Sequence, residues 1–474
     1  MVYKKIDNLI TEILHQLSTL ALGNQEFIRL HWQLDGHSTF PGLAWLSAQS
    51  CYPQFYWYQR TGTDECSALG TVYEFNAITE AEQFLSLHAQ YPDMRLWGLN
   101  GWNAVGEGIS LADKQQATFY FLPRLEIFRV RSSISVYLNI KGEDDRLAAI
   151  AFLKQLKPAA TLPPLNTQII GHEHFPEKAQ WCHLLNKAIT KMRAGEMEKV
   201  VMARETKLTL SQPVSVAEFL AASQRVNFQC YHFMMALSQE TGFLSSTPER
   251  LYLRQGTQLN SEALAGTVAN HPDDAIAAEK AKWLMEDSKN QHENLVVVDD
   301  ICQQLQGIVT GIDVSPAKVI RLRKIQHLYR SIAATLVSPS DSECLQRLQP
   351  TAAVCGLPRT VARQFLTEHE PFSRRWYAGT GGFVSLNKSE FAVSLRCAQI
   401  EHQRLSLFSG AGIVSDSDPE QEWIEIENKA AGLNLYLNPL KNHKYNMVIF
   451  LLVSISSLKI VLRSRNLYQA HYTY

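Results

Sequence analysis

The sequence predicts an α+β fold built on large mixed sheets. Three observations point there. Aromatic and β-branched runs with strand character, such as QFYWYQR (54–60) and TVYEF (71–75), recur between turn residues. Helix-period stretches lie among them, the longest over 272–306. No internal repeat or low-complexity tract divides the chain, and the proline-bearing connection 157–176 is the only candidate seam.

The elements follow in order. In residues 1–22, Ile6, Leu9, Ile10, Ile13, Leu14 and Leu17 keep helical spacing around Asp7, Glu12 and His15, which reads as an amphipathic packing helix and not a secretion signal. Residues 26–140 read mainly as strands, with WGLNGW (97–102) as a tight aromatic turn and Pro123 splitting the runs 118–122 and 125–139. A helix is expected over 176–194, then a strand over 199–205, a helix over 216–225 and strands over 230–237 and 243–246. TPER (247–250) breaks the sheet pattern before 251–253, and 261–267 reads as a short strand. Residues 272–306 form one long helix or two, with Glu286, Asn290, Glu293 and Val297 on one face. Residues 326–330 sit on or beside a strand; 343–348 and 360–368 are helical around the loop LQPTAAVCGLPR (348–359). Two strands, 390–400 and 405–408, then lead into a glycine-rich loop, Ser409 to Gly412, whose small residues leave backbone N–H groups open to an anion. Asp418-Pro419 starts an acidic helix, Asp as N-cap and Pro in the first turn, with Glu422, Glu425 and Lys429 on one face.

The 474 residues carry a formal net charge of −1, with 46% hydrophobic and 19% charged residues, values of an ordinary globular protein with a large core. That balance gives no electrostatic footprint for nucleic acid. The eight cysteines (51, 66, 182, 230, 302, 344, 355, 397) include no CxxC pair, which fits reduced thiols in a cytoplasmic protein. Residues 447–462, MVIFLLVSISSLKIVL, are apolar but contain Lys459 and fall short of the ~20 residues of a spanning helix. A packed segment, or a tail without a role, is expected there in preference to a membrane anchor.

Lys199 is a charged outlier in an apolar strand, where a buried amine must be paired or neutral. Glu249 follows a proline turn at a strand end, Glu293 lies on the long helix, and Glu422 and Glu425 lie on the acidic one. Taken singly, each reads as a surface charge, and an isolated ExxE reads as a solvated helix face.

Taken together, the motifs resemble one family. KVVMAR (199–204), STPERL (246–251), LAGT (264–267), KNQHEN (289–294), LQPTAAV (348–354), YAG (377–379), SLR (394–396), GAGIV (410–414), DPE (418–420) and EIENK (425–429) look like those of the chorismate-utilising enzymes. That family includes isochorismate, salicylate, anthranilate and aminodeoxychorismate synthases. The resemblance spans residues 194–433 and is strongest toward the isochorismate synthases of the menaquinone pathway, through DPEQEW (418–423) and the 289–300 run. It implies large mixed or antiparallel sheets packed face to face with helices outside. Residues 1–165 would be the mostly stranded N-terminal part of that fold, 166–438 the chorismate-binding catalytic part and 439–474 a tail of unknown role.

The resemblance further implies roles. Lys199 would be the general base activating water for attack at C2 of chorismate, and Glu249 the general acid protonating the C4 hydroxyl as it leaves. Glu293 and Glu425 would bind Mg²⁺, with Glu422 near the metal. Arg396, Tyr377 and the N–H groups of Gly410, Ala411 and Gly412 would take the enolpyruvyl carboxylate. Leu264, Gly266, Thr267, His327 and Lys429 would line the site. Lysine at 199, where anthranilate synthases carry glutamine, indicates water as the nucleophile. Ala265 stands where aminodeoxychorismate synthases carry a nucleophilic lysine, and neither a glutaminase segment nor an LLES motif occurs. The expected activity is therefore Mg²⁺-dependent isochorismate synthesis, without a glutaminase partner. A salicylate synthase, a siderophore-pathway isochorismate synthase and an inactive chorismate-binding homologue are the alternatives. Asn294 departs from the histidine that many relatives carry after the metal glutamate, which bears on the packing behind Glu293.

Overall fold

The computed structural model describes residues 2–19, 23, 25–34, 40–103 and 118–434. The side chains of 2–5 and 428–434, Lys429 among them, lie outside the described residues, as does the apolar stretch 447–462. Among the described residues, twenty strands join in one continuous hydrogen-bonded network in which every pairing is antiparallel. One run of neighbours goes from Ile169–Phe175 through Lys199–Leu210, Arg404–Ile413, Cys397–Glu401, Thr241–Thr247, Tyr231–Ala236, Gln54–Tyr58 and Asp64–Phe75 to Phe119–Val130. A second continues through Leu96–Asn100, Thr380–Val384, Lys388–Val393, Arg250–Gln255 and Gln258–Ala269 to Ile325–Leu336.

The two runs pack face to face. Trp97 of the second run lies 5.4 Å from Phe55 and 6.3 Å from Trp57 of the first, ring centre to ring centre, and Phe383 lies 6.4 Å from Trp57. The sheets approach so closely that a Cβ at Gly381 would sit 2.4 Å from the Phe233 ring. Strand alternation divides the apolar side chains between two cores. Phe55 and Trp57 face the space between the runs, while Tyr56 turns to the opposite face. That outer face is covered by the helix Val216–Gln224, through Phe219 and Leu220, and by the amphipathic helix Val2–Thr19, through Ile6, Leu9, Ile13 and Leu17.

Several sequence expectations change. Residues 97–102 are not a tight turn: Leu96–Asn100 is a central strand with Trp97 and Leu99 fully buried. Gly98 permits this, because a Cβ there would lie 2.2 Å from the Phe119 carbonyl. Pro123 does not split the strand Phe119–Val130. It lies where the ladder to Asp64–Phe75 shifts register, so its missing N–H breaks no regular pairing. The region 272–306 is two helices, Asp274–Glu286 and Ser288–Leu305, with Asp287 capping the second through its bond from the Asn290 N–H. The short strand expected at 261–267 is part of Gln258–Ala269, and 326–330 lies inside Ile325–Leu336. The strand expected over 390–400 is two, Lys388–Val393 and Cys397–Glu401, interrupted at Ser394 to Arg396. All eight cysteines are free thiols, and no helix among the described residues is long and apolar enough to cross a membrane.

Candidate active site

The strand Lys199–Leu210 organises the site. It pairs with Arg404–Ile413, and this overturns the expected glycine loop: Ser409 to Gly412 are strand residues, aligned with Arg204 to Val201. The N–H groups of Val201 and Ala203 point to the other side of their strand, to Cys355 O at 2.8 Å and Glu370 Oε1 at 3.0 Å. In an antiparallel ladder their partners Gly412 and Gly410 then direct their own N–H groups away from this strand, whereas Ala411 pairs into it. Space favours glycine at both positions, more strongly at 410 than at 412. A Cβ at Gly410 would lie 2.6 Å from the Tyr377 hydroxyl, and one at Gly412 would lie 3.1 Å from Lys199 Cε and 3.7 Å from its Nζ. The two glycines thus bring Tyr377 and Lys199 against one strand.

Lys199 Nζ meets Glu293 Oε1 at 3.5 Å; the lysine side chain is 12% exposed and the glutamate 45%. Glu293 comes from the helix Ser288–Leu305, which is fixed to the sheet by its fully buried neighbour Asn294. The Asn294 amide donates to the carbonyls of Ala263, Ala265 and Leu328, and its oxygen accepts from Arg330. The departure noted at this position is therefore a pin between helix and sheet. Replacing it with alanine leaves the Arg330 donor and three carbonyl contacts without this partner, so Asn294→Ala is expected to destabilise the protein by about 2–4 kcal/mol. A thermal-unfolding midpoint equal to that of the parent would contradict this.

One turn before Glu293, Asn290 Oδ1 accepts from the Thr267 N–H at 2.9 Å. Gly266 lies under that helix, with φ +81° at a bulge in the strand, and a Cβ there would meet Asn290 O at 2.9 Å. Thr267 Oγ1 and His327 Nδ1 are 2.8 Å apart and open to solvent, while Leu264 and Ala265 are buried on the same strand.

Glu249 sits between the strands Thr241–Thr247 and Arg250–Gln255, 5% exposed, its N–H bonded to Thr247 Oγ1 at 3.2 Å. Burial, and secondly the negative charge of Glu262, push its carboxyl up to about 8, against the opposing pull of Lys199. Its proton is therefore retained through neutral pH.

Tyr377 is buried and stacked on Phe408 at 5.2 Å, and burial raises its hydroxyl above the ordinary phenol range. The backbone of the next two residues is tied to Ser394 by two hydrogen bonds, of 2.9 and 2.8 Å. Arg396, two residues on, holds φ at +47°, an unusual value for arginine, and its positive charge partly offsets the rise that burial gives the Cys230 thiol. Ser245 Oγ donates to Leu395 O at 2.6 Å, which secures this bend.

The acidic helix Pro419–Asn434 starts as expected, with Asp418 Oδ1 accepting from the Gln421 N–H at 2.9 Å. It is anchored to the Lys199 strand by that strand's opposite face: the Arg204 guanidinium lies 4.5 Å over Trp423 and pairs with Glu427. Glu425 is exposed, and Glu422 accepts from Ser417 Oγ at 2.9 Å. Among the described residues, no three His, Cys, Asp or Glu side chains converge as a metal cluster. Glu293, Glu422 and Glu425 are thus not a preassembled triad: Glu293 faces Lys199 and Glu422 faces Ser417. The donors are all carboxylates and two are exposed, which suits a hard divalent ion that keeps several waters.

The structure thus brings Lys199, Gly412 and Gly410 together on two paired strands, sets Glu293 and Tyr377 against them by side-chain contact, and ties Thr267 and Gly266, with His327 beside Thr267, to the Glu293 helix. Two residues near Glu249 were missed from the sequence, Glu262 and Arg60. Glu262 carried a usable signal, a charge inside the apolar SEALAGT run; Arg60 carried none.

A family model described as chorismate binding enzyme matches residues 14–438. The isochorismate synthase MenF of Escherichia coli is 47% identical over 402 residues, covering 84% of this chain and 91% of that protein. Its namesake from Haemophilus influenzae is 38% identical over 421 residues, covering 87% and 92%. Among solved structures, the menaquinone-specific MenF from E. coli matches with a TM-score of 0.86 at 44% identity, over 90% of this chain and 98% of that one. Anthranilate synthase component I from Streptococcus pneumoniae shares the fold, with a TM-score of 0.62 at 18% identity over 87% of this chain and 93% of that one.

Proposed function

The chain belongs to the chorismate-binding enzymes, and from that membership we propose that it is a Mg²⁺-dependent isochorismate synthase of the menaquinone pathway, acting in the cytoplasm. The observation that carries this reading is a proton donor and an amine held on separate segments of the sheet: Glu249, buried between two strands with its carboxyl pushed up to about 8, and Lys199, on a strand and laid against Gly412. Water attacks C2 of chorismate as Lys199 Nζ accepts its proton. Both ring double bonds shift, C1=C2 to C1=C6 and C5=C6 to C4=C5, and the C4 oxygen leaves as water, taking a proton from Glu249. One water enters and one departs, so the product is an isomer of the substrate.

Mg²⁺, when bound, neutralises the ring carboxylate, and Glu293 and Glu425, with Glu422 beside them, would hold it. Tyr377, Arg396 and the outward N–H groups of the Gly410 and Gly412 segment take the enolpyruvyl carboxylate. Leu264, Gly266, Thr267 and His327 complete the lining; the family resemblance assigns Lys429 there as well, its side chain lying outside the described residues. The buried Ala265 offers no amine for a covalent adduct.

Incubation with chorismate and Mg²⁺, followed by separation of the products, tests the reading. Isochorismate alone is expected; salicylate with pyruvate, or no conversion, overturns it. Glu425→Gln is expected to raise the Mg²⁺ concentration for half-maximal activity by at least about tenfold, the usual scale for loss of a charged partner. An unchanged requirement would move the ligand elsewhere.

A further inference from the structure

Arg60 comes from the N-terminal part of the chain, just beyond the strand Gln54–Tyr58, and crosses to the segment that carries Glu249. Its Nη1 donates to the Pro248 carbonyl at 2.7 Å. Its two terminal nitrogens also grip the two oxygens of Glu262, each at 2.6 Å. Glu262 Oε1 in turn accepts from the Arg250 N–H at 2.7 Å. The residues on both sides of Glu249 are therefore fastened to a single ion pair. Nothing in the proposed reaction uses this pair, although the Glu262 side chain is fully buried and that of Arg60 is 15% exposed. A buried carboxylate retained without a partner would be strongly unfavourable, and here the bidentate arginine offsets it.

We propose that Glu262, locked to Arg60, is the positioning residue for Glu249: it holds the backbone on both sides of the proton donor and sets a fixed negative charge beside it. This rests on the reading of Glu249 as the general acid. Besides Glu262, the charge that bears on Glu249 is Lys199, which acts in the opposite direction. Glu262 itself faces Arg60 and the Arg250 backbone; the Arg250 side chain is turned to Tyr231 and Glu390, and Tyr329 lies within electrostatic reach of Arg60. The two functions of Glu262 are separable. A glutamine keeps an oxygen for the Arg250 N–H and for Arg60 but removes the charge. A lysine at 60 keeps the charge opposite Glu262 but cannot make the fork and the Pro248 bond together.

The experiment measures kcat for isochorismate formation against pH in Glu262→Gln and Arg60→Lys. In Glu262→Gln the alkaline limb, where Glu249 loses its proton, is expected to move down by about one pH unit, with KM for chorismate little changed. In Arg60→Lys the limb is expected to stay in place while kcat falls by about tenfold or more. An unmoved limb in a folded Glu262→Gln enzyme, or an unchanged kcat in Arg60→Lys, overturns the proposal. A readout independent of turnover separates its failure from that of the functional reading. The gain in melting temperature on replacing Glu249 by glutamine is followed against pH, with Glu262 intact and with Glu262→Gln. With Glu262 intact the gain levels off at about 8, where Glu249 titrates; in the glutamine background the plateau must begin at lower pH. A plateau at the same pH overturns the assignment whether or not the protein makes isochorismate.

Discussion

Lys199→Ala is expected to lower isochorismate formation by about 10³–10⁴-fold while chorismate binding stays within about threefold, the scale for loss of a general base. The side chain lies along Gly412, and its terminal nitrogen reaches Glu293 at 3.5 Å. Truncation removes that nitrogen without disturbing the ladder, because the backbone pairing of Lys199 with Leu357 does not involve the side chain. Alanine also leaves the Glu293 carboxylate in place for the metal role proposed above, so substrate affinity is expected to be retained. Single-turnover assays with equilibrium binding of chorismate check both halves. Turnover within tenfold of the parent would remove Lys199 from the chemistry.

Glu249→Gln is expected to be comparably damaging to kcat, by about 10²–10⁴-fold, and at the same time to stabilise the protein at alkaline pH. The carboxyl goes from an ordinary 4.5 to about 8 in the folded chain, chiefly through burial. A carboxyl raised in this way contributes its full stability below the unfolded value and loses it as pH rises through the folded one. The advantage of glutamine over glutamate is therefore nil near pH 4, grows from about 4.5 and is complete above about 8. There it reaches on the order of 5 kcal/mol. Melting curves of the two proteins at pH 5 and pH 9 check the sign. A glutamine variant no more stable than the parent at pH 9 would mean that the carboxyl is not held protonated, and the acid role would fail with it.

Much of this was legible in the chain because strong local signals mark it. Lys199 interrupts a run of apolar strand residues, Asp418-Pro419 announces a helix start, and the spaced motifs from KVVMAR to EIENK identify the family. The α+β class followed from strands and helices with different periods. Other features misled for equally physical reasons. Small residues at Ser409 to Gly412 read as a loop because glycine normally weakens strands; here they are a strand because they pair with Lys199–Leu210, and Tyr377 and Lys199 lie where side chains at 410 and 412 would sit. Pro123 read as a strand break because it lacks an N–H, and it is tolerated because it falls at a register shift. Trp97 to Trp102 read as a turn because its two glycines sit between tryptophans, whereas Gly98 is there to admit the neighbouring strand.

By itself the sequence determined which groups are present: an amine in an apolar strand, an acid at a strand end, carboxylates at helical spacing, and the family that combines them. Local patterns carry this information because periodicity and charge outliers depend only on near neighbours. Tertiary structure alone decided which groups meet. Lys199 and Glu293 are 94 residues apart in the chain, and Arg60 and Glu262 are 202 apart. No pattern along the chain encodes such a meeting. It arises because antiparallel pairing aligns the Lys199 strand with Gly412, because Asn294 pins the Glu293 helix to the sheet, and because the first hairpin brings Arg60 across to Pro248. The state of Glu249 belongs to the same class: a glutamate in a sequence is an ordinary acid, and its burial, with the charge of Glu262 beside it, is what raises its carboxyl to about 8.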